Sequence, residues 1–249
     1  MIKLLKSIIA VILWLYLIAS CAALWVIASM IWIFTVLFDR KRIILHKFAC
    51  FWGFHYLQII PSWRVTFNGR EKIDDISTCI FAANHQSMMD ILVLFGLNTH
   101  FKWVAKRSLF GVPFLGWNMW FNNYVGIRRG KLKSIKLMYA DCDKHLSQGS
   151  SLFFFPEGTR SEDGQLHEFK QGPFKLAIKH NVPVVPIAID GVRDILAKSA
   201  WILPIWKKID ISVNILDPIY PAEAENKIPR LLKTTREKIH DKLESVRSD

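Results

Sequence analysis

Apolar positions follow two regimes along this chain. From Ser7 to Phe38 no residue is charged: SIIAVILWLYLIASCAALWVIASMIWIFTVLF. An apolar run longer than about 18 residues reads as membrane-embedded. A second apolar block, IILHKFACFWGFHYLQII, succeeds the basic cluster Arg40, Lys41 and Arg42 and ends at Pro61. It is rich in aromatics, carries His46, Lys47 and His55, and has the pattern of a helix lying at an interface. After Pro61 the pattern changes. Short β-type runs alternate with helical spacing. The expected strands are RVTFNG from Arg64, TCIFAAN from Thr78, FKWVAK from Phe101, NYVGIRR from Asn123, SLFFFPE from Ser151, VPVVPIAI from Val182 and DISVNILDPI from Asp210. The expected helices are Met88–Leu97, Lys131–Gln148, Gly172–His180 and Glu223–Val246. In the last, Ile228, Leu231, Leu232, Ile239, Leu243 and Val246 recur at helical spacing among charges.

Alternating strands and helices imply a single α/β domain with a mostly buried mixed sheet flanked by helices. An N-terminal membrane-embedded helix or helix pair precedes it. The expected division is residues 1–60 for anchor and interfacial helix and residues 61–249 for the domain. The anchor fits one long tilted helix, or a hairpin dipping into one leaflet. LIASC, ending at Cys21, has the look of a lipoprotein cleavage box. However, the apolar run continues well past it, whereas a signal's apolar core is about 7–15 residues long. A retained anchor fits better.

Composition narrows the partners. Of 249 residues, 33 are Lys or Arg and 21 Asp or Glu, for a net charge of +12. A basic chain suits nucleic acid or an anionic membrane surface. No zinc-finger pattern or RNA-binding aromatic signature is present, so no nucleic acid is expected and a bilayer with anionic lipids is the simpler partner. Arg40 to Arg42 favour the cytoplasmic face for the domain C-terminal to them. Lys3 and Lys6 on the other flank weigh against it. Cys21, Cys50, Cys79 and Cys142 are scattered in apolar contexts, which suits reduced packed thiols and no metal site.

In open α/β sheets, sites gather where strands end. The run CIFAA ends in NHQSMMD, placing His85 five residues before Asp90. On a continuous helix positions five apart lie about 140° apart, on different faces. They can meet if His85 sits on the strand-to-helix turn and Asp90 in the first helical turn. Asp90 then orients the imidazole and leaves Nε2 free as a base. SMMD also fits a capping box, with Ser87 as N-cap and Asp90 three residues on. Both readings stand at this level. A second strand ends in FFFPEGTRS, where Gly158 permits close backbone approach, Thr159 offers a hydroxyl and Arg160 a phosphate-matching fork. A third ends in Arg128 and Arg129, which alternation sends to opposite faces. Lys170, Gln171 and Gly172 precede a helix, VPVVPIAI reads as a buried strand, and the whole stretch reads as structural support near the site. There Pro183 and Pro186 would interrupt a ladder if central.

Together these stretches resemble the glycerolipid acyltransferase family of 1-acylglycerol-3-phosphate acyltransferases. N-H-x-x-x-x-D is matched by Asn84, His85 and Asp90, F-P-E-G-T-R-S by Phe155 to Ser161, and V-P-[VI]-x-P-[VI] by Val182 to Ile187. The arginine-ended second motif is matched best by Arg129, with Arg128 standing where an acidic or polar residue is usual. The resemblance covers roughly Arg64 to Gly191. It implies transfer of a fatty acyl group from acyl-CoA or acyl-acyl carrier protein to a lysophospholipid hydroxyl, with the donor as co-substrate and no cofactor. For the usual acceptor, 1-acylglycerol-3-phosphate, the product is phosphatidic acid. It implies His85 as base and Asp90 as its partner. Arg129, or Arg128, would bind the phosphate. Glu157 and Gly158 would position the glycerol, with Glu157 facing its hydroxyls or an arginine. Thr159 and Arg160 would support that loop, and Lys106 is a further phosphate candidate. Another lysophospholipid or a lyso-aminolipid is an alternative acceptor. A lipid hydrolase built on Ser87 with His85, and a non-catalytic membrane scaffold, are more distant readings. No G-x-S-x-G elbow supports the hydrolase.

Overall fold

A computed structural model describes residues 2–161, 163–193, 195 and 202–248. Its centre is a seven-stranded sheet in the order β1-β7-β6-β2-β5-β3-β4. The strands are β1 (Trp63–Asn68), β2 (Ile80–Ala83), β3 (Phe101–Lys106), β4 (Val125–Ile127), β5 (Ser151–Phe154), β6 (Val184–Asp190) and β7 (Ile209–Ile215). Each matches an expected run. All neighbours are parallel except β6 and β7. The sheet is therefore mixed, and β2, β5, β3 and β4 end along one edge.

β2, β5 and β6 are buried on both faces, which is why they read as unbroken apolar runs. Pro186 lies within central β6, where a proline was expected to interrupt pairing. It sits at the last rung against the end of β7, and the amide of Leu216 still donates to its carbonyl at 3.0 Å. The register with β2 also runs through it, Ala82 against Pro186, so the proline removes one N–H donor and not the pairing.

Helices cover both faces. The helices are α1 (Ile2–Thr35), α2 (Ile43–Gln58), α3 (Met89–Phe95), α4 (Leu115–Phe121), α5 (Leu132–Ser147), α6 (Gly172–His180) and α7 (Ile228–Ser248). One core joins α2 and α3 to side chains such as Phe81, Trp103 and Phe153. The other joins α5, α6 and α7 to Leu152, Phe154 and Val184. Each fully buried aromatic or aliphatic side chain here contributes about 1.5–3 kcal/mol. α7 begins five residues later than its spacing suggested. Glu225 and Asn226 take positive φ, and Pro229 suits a helix's first turn. α4 was not anticipated, because a short apolar run does not distinguish helix from strand.

The division at residue 60 is not a packing boundary. Ala49, Cys50 and Leu57 of α2 belong to the main core, while Ile43, Ile44 and Phe51 on its other side are exposed. The turn before α2 is held by Asp39, whose carboxylate accepts the amides of Ile43 and Ile44 at 2.9 and 2.8 Å. It thereby caps the helix. Lys102 of β3 is fully buried. Its Nζ donates to the carbonyls of Lys41 and Asn122, both at 2.7 Å, tying that turn to the end of α4. Desolvation lowers its pKa to about 7.

α1 lies along the domain. Lys6 sits over the Trp206 ring at 5.1 Å. Tyr16 meets His55 at 2.6 Å and Ser20 meets Tyr56 at 3.1 Å. Further along, Trp32 stacks on Phe121 at 4.9 Å.

Candidate active site

β2 delivers the first site residue. Past Ala83 the chain leaves the sheet, but Asn84 extends the pairing through its side chain. Its Nδ2 donates to the Ile189 carbonyl and its Oδ1 accepts the Ile189 amide, both at 2.8 Å. This lock on β6 gives asparagine its place in the motif: no other residue of that length offers donor and acceptor together. His85 comes next, with its backbone held on both sides. Its amide donates to Glu157 Oε1 at 2.8 Å, and its carbonyl accepts the Ser161 amide at 2.8 Å.

The imidazole is 11 % exposed and stacks on Phe155 at 3.9 Å. Its Nδ1 lies 2.7 Å from Oδ2 of the fully buried Asp90. A carboxylate only accepts, so Nδ1 carries the hydrogen and the neutral ring keeps its lone pair on Nε2. Asp90 Oδ2 also accepts the amides of Gln86 and Ser87 at 2.7 and 2.9 Å. The contact to the imidazole and the contacts that hold the turn thus coexist on one oxygen. Asp90 Oδ1 is buried without a hydrogen-bond partner. Ser87 Oγ accepts the Met89 amide at 3.3 Å at the start of α3.

His85 opens onto a cleft of about 740 Å³. Phe95, Trp103, Met119, Ile135 and Met138 give it an apolar wall, and Lys106, Arg129, Arg160 and Lys170 bring positive charge. Gly158 and Thr159 also line it. Of the expected site residues, His85, Lys106, Arg129, Gly158, Thr159 and Arg160 therefore share one space. Arg128 does not line it. Its amide instead donates to Ser134 Oγ at 2.8 Å, so of the two arginines only Arg129 faces the cleft. Ser87, the nucleophile of the hydrolase reading, is buried and does not line the cleft.

Glu157 departs from expectation. It was expected to face the glycerol hydroxyls or an arginine. Instead it is buried, with Oε1 on the His85 amide and Oε2 on the His167 amide at 3.0 Å. Burial raises its pKa, while those two amides pull the other way. The carboxylate braces two loops. Gly158 holds φ +74°, and a Cβ there would stand 2.6 Å from Lys170 Cε. Lys170, read from sequence as support, lines the cleft with Gln171 and Gly172 at the start of α6. Its signal was its place just before a helix start, which is ambiguous without knowing where that helix points. Among the described residues no group of three or more His, Cys, Asp or Glu is placed to hold a metal ion.

Known proteins are similar to this chain in sequence and in fold. The family model described as Acyltransferase matches residues 64–190. The chloroplastic 1-acyl-sn-glycerol-3-phosphate acyltransferase of Brassica napus is 37% identical over 77% of this chain and 55% of its own length. The enzyme of the same name from Pseudomonas aeruginosa is 29% identical over 75% of this chain and 70% of its own. The crystal structure of the 1-acyl-sn-glycerophosphate acyltransferase PlsC from Thermotoga maritima superposes with a TM-score of 0.77 at 25% identity, covering 98% of each chain. The chain spans about half the length of the plant relatives it matches.

Proposed function

The chain belongs to the acyltransferase family. On that premise we propose that it transfers a fatty acyl group from acyl-CoA or acyl-acyl carrier protein to the free hydroxyl of 1-acylglycerol-3-phosphate, giving phosphatidic acid for phospholipid synthesis. One observation carries this reading. A histidine oriented by a buried carboxylate opens, through Nε2, onto a cleft that is apolar on one wall and cationic on another. That is the chemistry of a phosphate-bearing lipid whose hydroxyl must be activated. The names of the plant and bacterial relatives support the same acceptor.

In this reaction Nε2 of His85 takes the hydroxyl proton as the oxygen attacks the thioester carbon. The carbon–sulfur bond breaks, and the thiolate takes the proton back from the imidazolium. Asp90 stabilises the charged ring between these events. Such general-base assistance is worth about 10²–10⁴ in rate. Arg129 holds the phosphate, with Lys106 and Arg160 beside it. No cofactor beyond the acyl donor is required.

The protein works at a membrane. α1 has 34 residues, about 51 Å at 1.5 Å per residue, against a hydrocarbon core of about 30 Å. Contacts near both its ends with one globular domain favour a helix lying along a single leaflet with α2. The free thiols and the cluster Arg40 to Arg42 support a cytoplasmic-facing domain.

The test is purified full-length protein in mixed micelles, given a panel of lysophospholipids and both donor types, with products read by mass. Phosphatidic acid formed by the wild type and lost in His85→Ala is the expected result. Turnover only on another lysolipid would replace the acceptor, and undiminished turnover in His85→Ala would remove the base.

A further inference from the structure

The segment from Val112 to Phe121 carries an unusual load of exposed apolar surface. Val112, Trp117 and Trp120 are 39%, 41% and 48% exposed. The same segment turns Leu115 and Met119 into the cleft. It is therefore a wall with one side on the cleft and the other side apolar and uncovered.

Three observations say what covers it. First, the surface continues into α1, itself studded with exposed apolar side chains. Trp25 of α1 packs on Phe114, Trp117 and Phe121 at 5.9, 5.1 and 6.2 Å. Second, its residue types are those of a lipid–water interface, where tryptophan is favoured for its apolar body and polar tip. Third, its rim is basic. The Arg107 guanidinium lies 4.3 Å over the Trp120 ring and 5.5 Å over Phe110, and Lys106 and Arg128 stand exposed nearby in sequence and fold. An apolar surface edged with positive charge suits an anionic bilayer better than another globular chain.

We infer that Val112–Phe121 is a second membrane contact, separate from the N-terminal helices. Trp117 and Trp120 seat in the lipid interface beside α1, and Arg107 meets an anionic headgroup. The acceptor's acyl chain enters the cleft past this wall. The entry step rests on the function proposed above. The membrane contact does not.

Depth measurement tests the contact directly. Single nitroxide labels are placed at Val112→Cys, Trp120→Cys, Ile18→Cys and Lys175→Cys, each in a Cys21→Ser background. The full chain is bound to vesicles of phosphatidylcholine and phosphatidylglycerol. Labels at 112 and 120 are expected to collide with oxygen and be shielded from a water-soluble nickel chelate, as at 18. The label at 175, on α6 across the sheet, is expected to collide with the chelate. Chelate access at 112 and 120 with shielding at 18 would overturn the second contact and leave the anchor intact. Access at all positions would overturn both.

Entry is tested by kinetics. Val112→Glu with Trp120→Ser should raise the half-saturating surface concentration of long-chain lysolipid in vesicles by more than about tenfold, the scale of removing just one of the two apolar side chains from lipid. Turnover of a short-chain, monomeric lysolipid should be unchanged. Equal loss on both substrates would overturn the entry route. Absence of transfer by the wild type would instead sink the proposed function, while the depth data still decide the contact.

Discussion

Asp90 Oδ2 accepts three hydrogens at once: from His85 Nδ1 at 2.7 Å and from the amides of Gln86 and Ser87 at 2.7 and 2.9 Å. One carboxylate oxygen holds the turn and orients the imidazole. An asparagine can supply the same oxygen to the amides, but it has no charge to stabilise an imidazolium. Asp90→Asn should therefore fold and bind lipid while kcat falls about 10²–10⁴-fold. Steady-state kinetics beside a thermal melt check this. A variant that retains its kcat would leave Asp90 as a cap alone.

Glu157 touches His85 only through the backbone amide of that residue. Each of its oxygens takes one backbone amide, so Glu157→Gln must set an amide NH₂ against one of them. A buried donor left unpaired costs about 1–3 kcal/mol. The expected result is a lower melting temperature and a lower kcat, with the KM for the acceptor little changed. A selective rise in that KM would show instead that Glu157 touches the substrate.

The two adjacent arginines should separate cleanly. Arg129 lines the cleft and Arg128 does not. Charge-assisted hydrogen bonds contribute about 1.5–3 kcal/mol, so Arg129→Ala should raise the KM for a phosphate-bearing acceptor about 10–150-fold. Arg128→Ala should move it little. Initial-rate measurements on both variants decide the matter, and the reverse pattern would shift the second motif by one residue.

Lys102 should make stability depend on pH. Its folded pKa of about 7 lies below the ordinary lysine value of 10.5. Between those values the unfolded chain holds the extra proton, so stability rises with pH across that window. The slope is about 1.4 kcal/mol per pH unit where the two states differ by one full proton. Lys102→Met removes that dependence. The difference in unfolding free energy between wild type and variant, measured in detergent from pH 7 to 9, should move in favour of the wild type as pH rises. A flat difference would mean that the ammonium is not desolvated.

Period-two alternation and unbroken apolar runs located all seven strands, because a strand's exposure repeats over neighbouring residues. The turn-prone residues after those strands located the loops around the cleft, since parallel strands send their ends to one edge. Folding decided which way each loop side chain points. Glu157 turned inward because the amides of His85 and His167, distant in sequence from one another, needed an acceptor. Arg129 lines the cleft and Arg128 does not, and both lie beyond the end of β4 at Ile127, where strand alternation no longer sets direction. α1 was recognisable as apolar from composition alone. That it lies along the domain depends on Trp206 and Phe121, far along the chain. Element type is a property of neighbours in sequence. Side-chain direction at a loop is set by whichever remote backbone group would otherwise be buried unpaired.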